Sequence, residues 1–384
     1  MDSIALKTQI PTSPAFVFDE VELQTTLNAC QVLRAKNACK LLYSIKSLPF
    51  YPILDVIKPL VDGFSVSSLF EARLAAEVLA GGQGSLHLCT PGIRADEVKE
   101  LTHLCSHISF NSLSQHQRFA EQVAPHCAVG LRVNPKLSFI KDDRYNPCRK
   151  FSKLGVDIDA LWQDSAIDRV RGLHIHTLFA ANSYQPLLQT LDKLTLFLGD
   201  KLGKLDWINL GGGYLLKEMT DHSPLLAAVA QLKNRYDVDV YIEPGNGLVG
   251  HCGYLVTTVI DSFVSEGKSI AVLDSSVNHH PEVFEYQIQA SAIGHHVKGR
   301  FPVILAGSSC LAGDIFGEYR FDAPLQLGDR VIFERVGAYT LVKANRFNGY
   351  NLPDIYCHRA TGITRVKHYT FEDYRQYWLG DTAS

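Results

Sequence analysis

No two of the nine cysteines in this 384-residue chain are spaced C-x-x-C. That absence argues against a zinc knuckle or a disulfide framework and fits a reducing cytoplasm. Scattered cysteines of this kind are mostly inert core residues, so a reactive one has to be found by its setting. A charge excess is missing too. Lys and Arg number 37 against 40 for Asp and Glu, a formal net charge of −3, which gives no electrostatic reason to expect nucleic acid or an anionic membrane as partner. No apolar run reaches the ~18 residues a membrane-spanning helix needs. The opening "MDSIALKTQIPTSPAF" lacks a basic segment followed by an apolar one, so no signal peptide is expected. Low-complexity stretches and short repeats are also absent. A soluble globular composition is left, 46% hydrophobic and 20% charged, and this length favours two domains of unequal size.

The organisation is a coarse alternation. Strand-like runs fall at 40–45, 61–66, 85–88, 107–110, 128–133, 171–177, 206–210 and 239–243. Between them lie segments such as "SSLFEARLAAEVLA" and "SLSQHQRFAEQVA", with apolar residues at helical three- and four-residue spacing. Ser67 or Ser68 suits the N-cap of the first, and Gly81–Gly82 its end. Strands each followed by a helix predict a parallel (β/α)8 barrel. The interval 133–170 is longer than one unit needs and reads as a functional loop. After about residue 250 the texture changes. "GYLVTTVIDSF", "SIAVLDSS", "EYQIQASAI", "PVILAG", "DRVIFERV" and "AYTLVK" read as strands of a mostly antiparallel β domain. The expected division is a barrel over 30–248 and a β domain made of 1–29 and 249–384, with the early strand "AFVF" joining the latter.

Catalytic groups in such a barrel sit at the C-terminal ends of the strands. Lys46 follows the first strand, inside the apolar "LLYSIKS". His174 and His176 lie on the sixth, Gly211–Gly213 follow the seventh, and Glu243 with "PGNG" follows the eighth. Each has a plainer reading: a solvated lysine, a core histidine, a tight turn. Their coincidence at one barrel face is what argues for chemistry. A lysine in a desolvated pocket has a lowered amine pKa and condenses with an aldehyde. Glycines at a βα junction let backbone N–H groups approach a phosphate, with a helix N-terminus behind them. A carboxylate opposite a pyridine nitrogen keeps it protonated, and an imidazole can stack on the ring. These parts together suit pyridoxal 5′-phosphate.

Six stretches make a resemblance specific: "RVNP…YNPCRKFSKLGVD" (132–157), "GLHIHTL" (172–178), "NLGGGY" (209–214), "EPG" (243–245), "GSSCLAGD" (307–314) and "FNGYNLP" (347–353). In this order they resemble the fold-type III pyridoxal-phosphate decarboxylases, the family of ornithine and diaminopimelate decarboxylases, over nearly the whole chain. The branch most resembled decarboxylates carboxynorspermidine and carboxyspermidine to norspermidine and spermidine. The resemblance implies an alanine-racemase-like (β/α)8 TIM barrel with a C-terminal antiparallel β-barrel domain, pyridoxal 5′-phosphate as cofactor and no metal. It further implies a cytoplasmic homodimer with active sites shared between subunits. Carried over by position, Lys46 holds the cofactor, His176 stacks on its ring, Glu243 partners the pyridine nitrogen and Arg132 stands near the ring. Gly211, Gly212, Gly213, Gly245 and Tyr339 serve the phosphate. Cys310 matches the proton donor and Asp314 a substrate-amine contact, with Asp274, Glu282 and Glu285 as further acids for distal amines.

Asn246 stands where many relatives carry an arginine, and Ser65 where others carry an aspartate. "LDSSVNHHPEV" (273–283) departs from the carboxynorspermidine branch, which leaves other substrates open: diaminopimelate, with Arg144 or Arg149 for its second carboxylate, ornithine or lysine, or a siderophore precursor. A racemase would need a second base in place of "CLAGD". A metal-dependent barrel hydrolase would need carboxylates and histidines at ligand spacing.

Overall fold

The computed structural model describes residues 1, 3–35, 38–80, 82–163 and 165–380. Strand β1 (Ala15–Asp19) is followed by nine parallel strands: β2 (Lys40–Ser44), β3 (Gly63–Val66), β4 (Ser85–Thr90), β5 (His107–Phe110), β6 (Ala128–Asn134), β7 (Val156–Asp157), β8 (Gly172–Ile175), β9 (Trp207–Asn209) and β10 (Asp239–Ile242). Their order β5–β4–β3–β2–β10–β9–β8–β6 closes through a β5–β6 pairing, and the short β7 adds to β6. This is the eight-stranded parallel barrel expected from the sequence. Closure buries both faces of each strand, which is why β2, β3 and β8 read as runs without a wet face.

Two barrel helices begin at serine caps. Ser68 accepts from the Glu71 N–H and starts the helix Leu69–Leu79. Ser112 accepts from the Gln115 N–H and starts Leu113–Val123. Gly81, expected at the end of the first helix, lies outside the described residues; the Gly82 N–H donates to the Leu79 carbonyl. The barrel floor is filled from strand starts. The His87 and His107 rings stack at 3.8 Å beside Trp207 and Tyr241. Gly172 admits the Trp207 indole: a Cβ there would lie 1.9 Å from it.

The remaining strands are β11 (Gly253–Ser265), β12 (Lys268–Leu273), β13 (Phe301–Ala306), β14 (Ile315–Phe321), β15 (Arg330–Glu334), β16 (Asp354–Arg359) and β17 (Gly362–Lys367). They form one sheet in the order β14–β13–β12–β11–β1–β16–β17, with β15 also on β11. Most pairs are antiparallel; β1–β16 and β12–β13 are parallel. The chain falls into two compact units, one of Gln24–Leu248 and one of Met1–Leu23 with Val249–Ser384. Two segments read as strands are not strands. "EYQIQASAI" opens in a short helix, Glu282–Tyr286, ended by Gln287 at φ 54°. "AYTLVK" reverses at Tyr339, φ 63°, into a single helical turn, Thr340–Lys343. Both left-handed residues break the alternation a strand requires.

Candidate active site

In the barrel unit, Lys46 sits in a one-turn 3-10 helix, Ile45–Ser47, just beyond β2. Tyr43 and Ser47 pin that turn: the Ser47 hydroxyl donates to the Ser44 carbonyl and the Tyr43 hydroxyl, and the latter donates to the Leu48 carbonyl. Ser44, Ile45, Ser47 and Leu48 are buried, whereas Lys46 is exposed. The desolvated lysine expected from the sequence is therefore corrected. The apolar neighbours anchor the turn and leave Lys46 itself accessible. Its charge acts on Glu243 and on His176, and it also acts on Glu71, whose carboxylate accepts from the Ser67 N–H at 2.7 Å. Burial raises the Glu71 pKa despite Ser67 and Lys46, which act to lower it.

Glu243 follows β10 and is buried. Asn209 Nδ2 donates to its Oε1 at 2.7 Å, and His174 Nε2 lies 3.2 Å from its Oε2. Burial alone would raise its pKa; the His174, Lys46 and Asn209 contacts outweigh that and hold it well below the usual carboxylate range. His174 Nδ1 in turn lies 3.5 Å from Cys89 Sγ. His176 Nδ1 accepts the Gly212 N–H at 3.1 Å, which puts the proton of the neutral ring on Nε2. Burial, then Arg132 and Lys46, push the His176 pKa well down. Arg132 is buried on β6, beside His174 in register.

The glycines are sterically required. Gly211 has φ 66°, and a Cβ on Gly212 would lie 2.1 Å from the Glu243 carbonyl oxygen. A Cβ on Gly245 would press the Ser47 hydroxyl at 3.0 Å, so the turn after β10 packs on the lysine turn. The helix N-terminus expected behind Gly211–Gly213 is not that of an α-helix: a one-turn 3-10 helix, Leu216–Glu218, follows, and the next α-helix starts at Ser223. These residues fit pyridoxal 5′-phosphate: an accessible amine, an ionised carboxylate, a neutral imidazole and a backbone cradle that side chains would fill.

The sheet unit carries the other expected residues. Cys310 is exposed, whereas Cys89 is half-buried and the other cysteines are buried. Its loop is braced by Asp314, whose Oδ1 accepts from the Val277 N–H at 2.7 Å and whose Oδ2 accepts from the Ser309 N–H and hydroxyl. Asp314 is only 2% exposed, so the direct amine contact expected there is corrected to a loop brace. Asp274 is likewise taken up by its own fold, through the Ser13 hydroxyl and the Thr258 N–H. Glu282 Oε2 accepts from the Thr340 hydroxyl at 2.7 Å, and Glu285 pairs with Lys343. Tyr339 caps the Thr340–Lys343 turn, and the Lys343 ammonium lies 5.6 Å from its ring centre. In the long loop of the barrel unit, Arg144 is paired with Asp142.

The sequence reading missed Glu71, Cys89 and Asn209, and gave His174 no partner. Their signal is spatial: Asn209 and His174 stand in register on β9 and β8, while Glu243 is 69 residues from His174.

Residues 15–337 match the family model described as "Pyridoxal-dependent decarboxylase, C-terminal sheet domain". The chain belongs to this family. It is therefore a pyridoxal-phosphate-dependent decarboxylase, as the six motifs implied. Among its relatives, the carboxyaminopropylagmatine decarboxylase of Synechocystis sp. is 34% identical over 94% of each chain. The carboxynorspermidine/carboxyspermidine decarboxylase of Campylobacter jejuni is 30% identical over 94% of this chain and 97% of its own. A crystal structure of carboxynorspermidine decarboxylase complexed with norspermidine, from Campylobacter jejuni, superposes with a TM-score of 0.87 at 28% identity, covering 96% of this chain and 100% of that one. Among the described residues, no helix of the decarboxylase is long and apolar enough to cross a membrane, and no group of three or more His, Cys, Asp or Glu is placed to hold a metal ion.

Proposed function

We propose that this decarboxylase acts on a carboxylated linear polyamine, carboxynorspermidine or carboxyspermidine, releasing CO₂ and norspermidine or spermidine. The observation that carries this reading is the whole-length likeness to decarboxylases of those compounds, in sequence and in fold. Carboxyaminopropylagmatine is the second reading, because the Synechocystis relative is the more identical of the two. Diaminopimelate is disfavoured because its decarboxylases are more distant relatives, the Pseudomonas aeruginosa enzyme being 25% identical over 88% of this chain.

Lys46 Nζ is the amine that would hold the cofactor covalently, by condensing with its aldehyde. Bound pyridoxal 5′-phosphate supplies an electron sink for the charge left at Cα as CO₂ departs. The Glu243 carboxylate holds a proton at the ring nitrogen, and neutral His176 packs on the ring without adding charge. Gly211–Gly213 and Gly245 bring backbone to the phosphate, joined by Tyr339, and Arg132 holds its place near the ring. Cys310 Sγ returns the proton to Cα. Its exposure supports that role, since a proton donor must reach substrate. Asp314 serves through the Cys310 loop, and Glu282, half-buried, accepting from the Thr340 hydroxyl and 3.8 Å from His280 Nδ1, is assigned to a distal ammonium. The active protein is a cytoplasmic homodimer in which the Cys310 loop of one copy serves the Lys46 site of the other.

The test is CO₂ release from a panel of carboxynorspermidine, carboxyspermidine, carboxyaminopropylagmatine, diaminopimelate, ornithine and lysine. A kcat/KM highest for carboxynorspermidine or carboxyspermidine is expected. Turnover of diaminopimelate alone would overturn the reading. Activity regained on mixing Lys46→Ala with Cys310→Ala protein would support shared sites; none regained under subunit exchange would refute them.

A further inference from the structure

His174 lies at the centre of a buried polar chain that starts outside the cofactor-binding residues and ends on one of them. Its register neighbours are Arg132 on β6 and Asn209 on β9. Residues in register on adjacent parallel strands face the same side of a sheet; here all three are buried inside the barrel. The Gly211 N–H donates to Asn209 Oδ1 at 2.9 Å. That fixes the amide so that its Nδ2 points at Glu243 Oε1. His174 Nε2 meets the other oxygen, Oε2, at 3.2 Å. Each carboxylate oxygen of Glu243 thus has its own donor. On the far side of the imidazole, Nδ1 meets Cys89 Sγ at 3.5 Å. Both ring nitrogens are engaged, and His174 is only 3% exposed.

We propose that His174, caught between Cys89 and Glu243, is a positioning residue for the decarboxylation: it orients the Glu243 carboxylate and keeps it ionised, so that Glu243 can hold a proton at the cofactor's ring nitrogen. This rests on the reading of Glu243 as the partner of that nitrogen.

A carboxylate buried this deeply stays charged only if a cation or strong donors face it. His174 and Asn209 are those donors by direct contact, and Lys46 adds its charge. The imidazole is itself pulled toward its charged form. Burial opposes protonation, but Cys89 on one nitrogen and Glu243 on the other outweigh it and raise the His174 pKa to about 9. The other groups that act on this chain are Arg132, which favours the Cys89 thiolate, and His87 and His176, whose pKa values His174 helps depress. His174 and Arg132 also act to lower the Cys89 pKa, against burial and Glu243, and Lys46 adds a further positive charge facing Glu243.

The coupling is measurable without cofactor. In cofactor-free protein labelled with ¹⁵N-histidine, the His174 ring nitrogens, identified by their loss in His174→Gln, should titrate above pH 8. Glu243→Gln and Cys89→Ser should each lower that midpoint by about one unit or more, a tenfold change in proton affinity. A His174 midpoint near its ordinary value of 6.5, unmoved by Glu243→Gln, would overturn the proposal. With cofactor added, His174→Leu should weaken binding about tenfold and shift the pH dependence of the cofactor absorbance. His174→Gln, which keeps a donor for Glu243, should recover part of the affinity but not the pH dependence. Binding and absorbance untouched by His174→Leu would also overturn it. Coupling present in the titrations together with cofactor binding untouched by Glu243→Gln would instead overturn the assignment of Glu243 to the ring nitrogen.

Discussion

The backbone N–H of Cys310 donates to the side-chain carbonyl of Asn348 at 2.9 Å across 38 residues of chain. Asn348 adopts φ 56°, a left-handed conformation that asparagine and aspartate tolerate better than other residues with a side chain. The "FNGYNLP" motif and the "SSCLAGD" motif are therefore two ends of one support. Asn348→Leu removes the acceptor and strains the turn. It should lower kcat about 2- to 10-fold, the worth of one net hydrogen bond, with KM little changed. Asn348→Asp keeps both the acceptor and the conformation and should stay near wild type. Cys310→Ala should cost far more, about 10²- to 10⁴-fold, as expected for loss of a general acid. Steady-state kinetics on the three variants checks the ranking.

Asp314 separates a brace from a substrate contact. Asp314→Asn puts an NH₂ group against the donors of Val277 or Ser309, leaving buried donors unpaired at about 1–3 kcal/mol each. Thermal denaturation should show a lower Tm, and kinetics a lower kcat with KM nearly unchanged. A large rise in KM at unchanged Tm would restore the direct amine contact.

Gly212→Ala isolates the cradle. Gly212 needs no unusual backbone angle, so the effect is steric: the new methyl meets the Glu243 carbonyl oxygen. Separation of the 211–213 and 243–245 turns should weaken cofactor binding at least about tenfold, equivalent to roughly 1.4 kcal/mol, read by absorbance titration. Gly92→Ala, where the added Cβ meets nothing within 4 Å, is the control and should bind normally.

Acid should unfold the protein through its buried histidines. Burial lowers the pKa values of His107, His279 and His280 from 6.5 to about 4. Between those values the unfolded chain binds protons that the folded chain refuses, so stability falls as pH drops from about 6.5 toward 4. The slope is at most about 1.4 kcal/mol per pH unit for each histidine. Calorimetry across that window should show Tm dropping, less steeply in His279→Gln. His174 acts in the opposite sense. Its raised pKa contributes stability below pH 6.5 that is lost as pH rises through about 9.

The barrel was legible because closure of a parallel sheet demands what the sequence displays: short fully apolar strands, capped helices and glycines at strand ends. Ser68 and Ser112 even mark their helix starts by a single hydroxyl. The β domain was less so. Gln287 and Tyr339 are ordinary residues in left-handed conformations, which no alternation of apolar residues reveals, and "IFGEYRF" of β14 went unread. At the site, Cys310 stood out by motif and Lys46 by its place at the end of an apolar strand. The exposure of Lys46 did not, because the apolar neighbours that suggested a dry pocket bury themselves instead. Asp314 looked like a substrate ligand because sequence shows a carboxylate but not the donors that consume it. His174, Asn209 and Cys89 converge only once the barrel closes and β4 faces the adjacent β8 and β9 across its interior.

Strand β1 has its antiparallel neighbour at Gly253–Val256 and its parallel neighbour at Asp354–His358. A ribosome therefore emits the middle of the second sheet before anything it can zip against. Until β11 and β16 emerge, β1 presents unsatisfied hydrogen-bonding edges on both sides, the kind of template that recruits foreign strands. The intervening Gln24–Leu248 unit is free to condense first, and β1 is completed only after it.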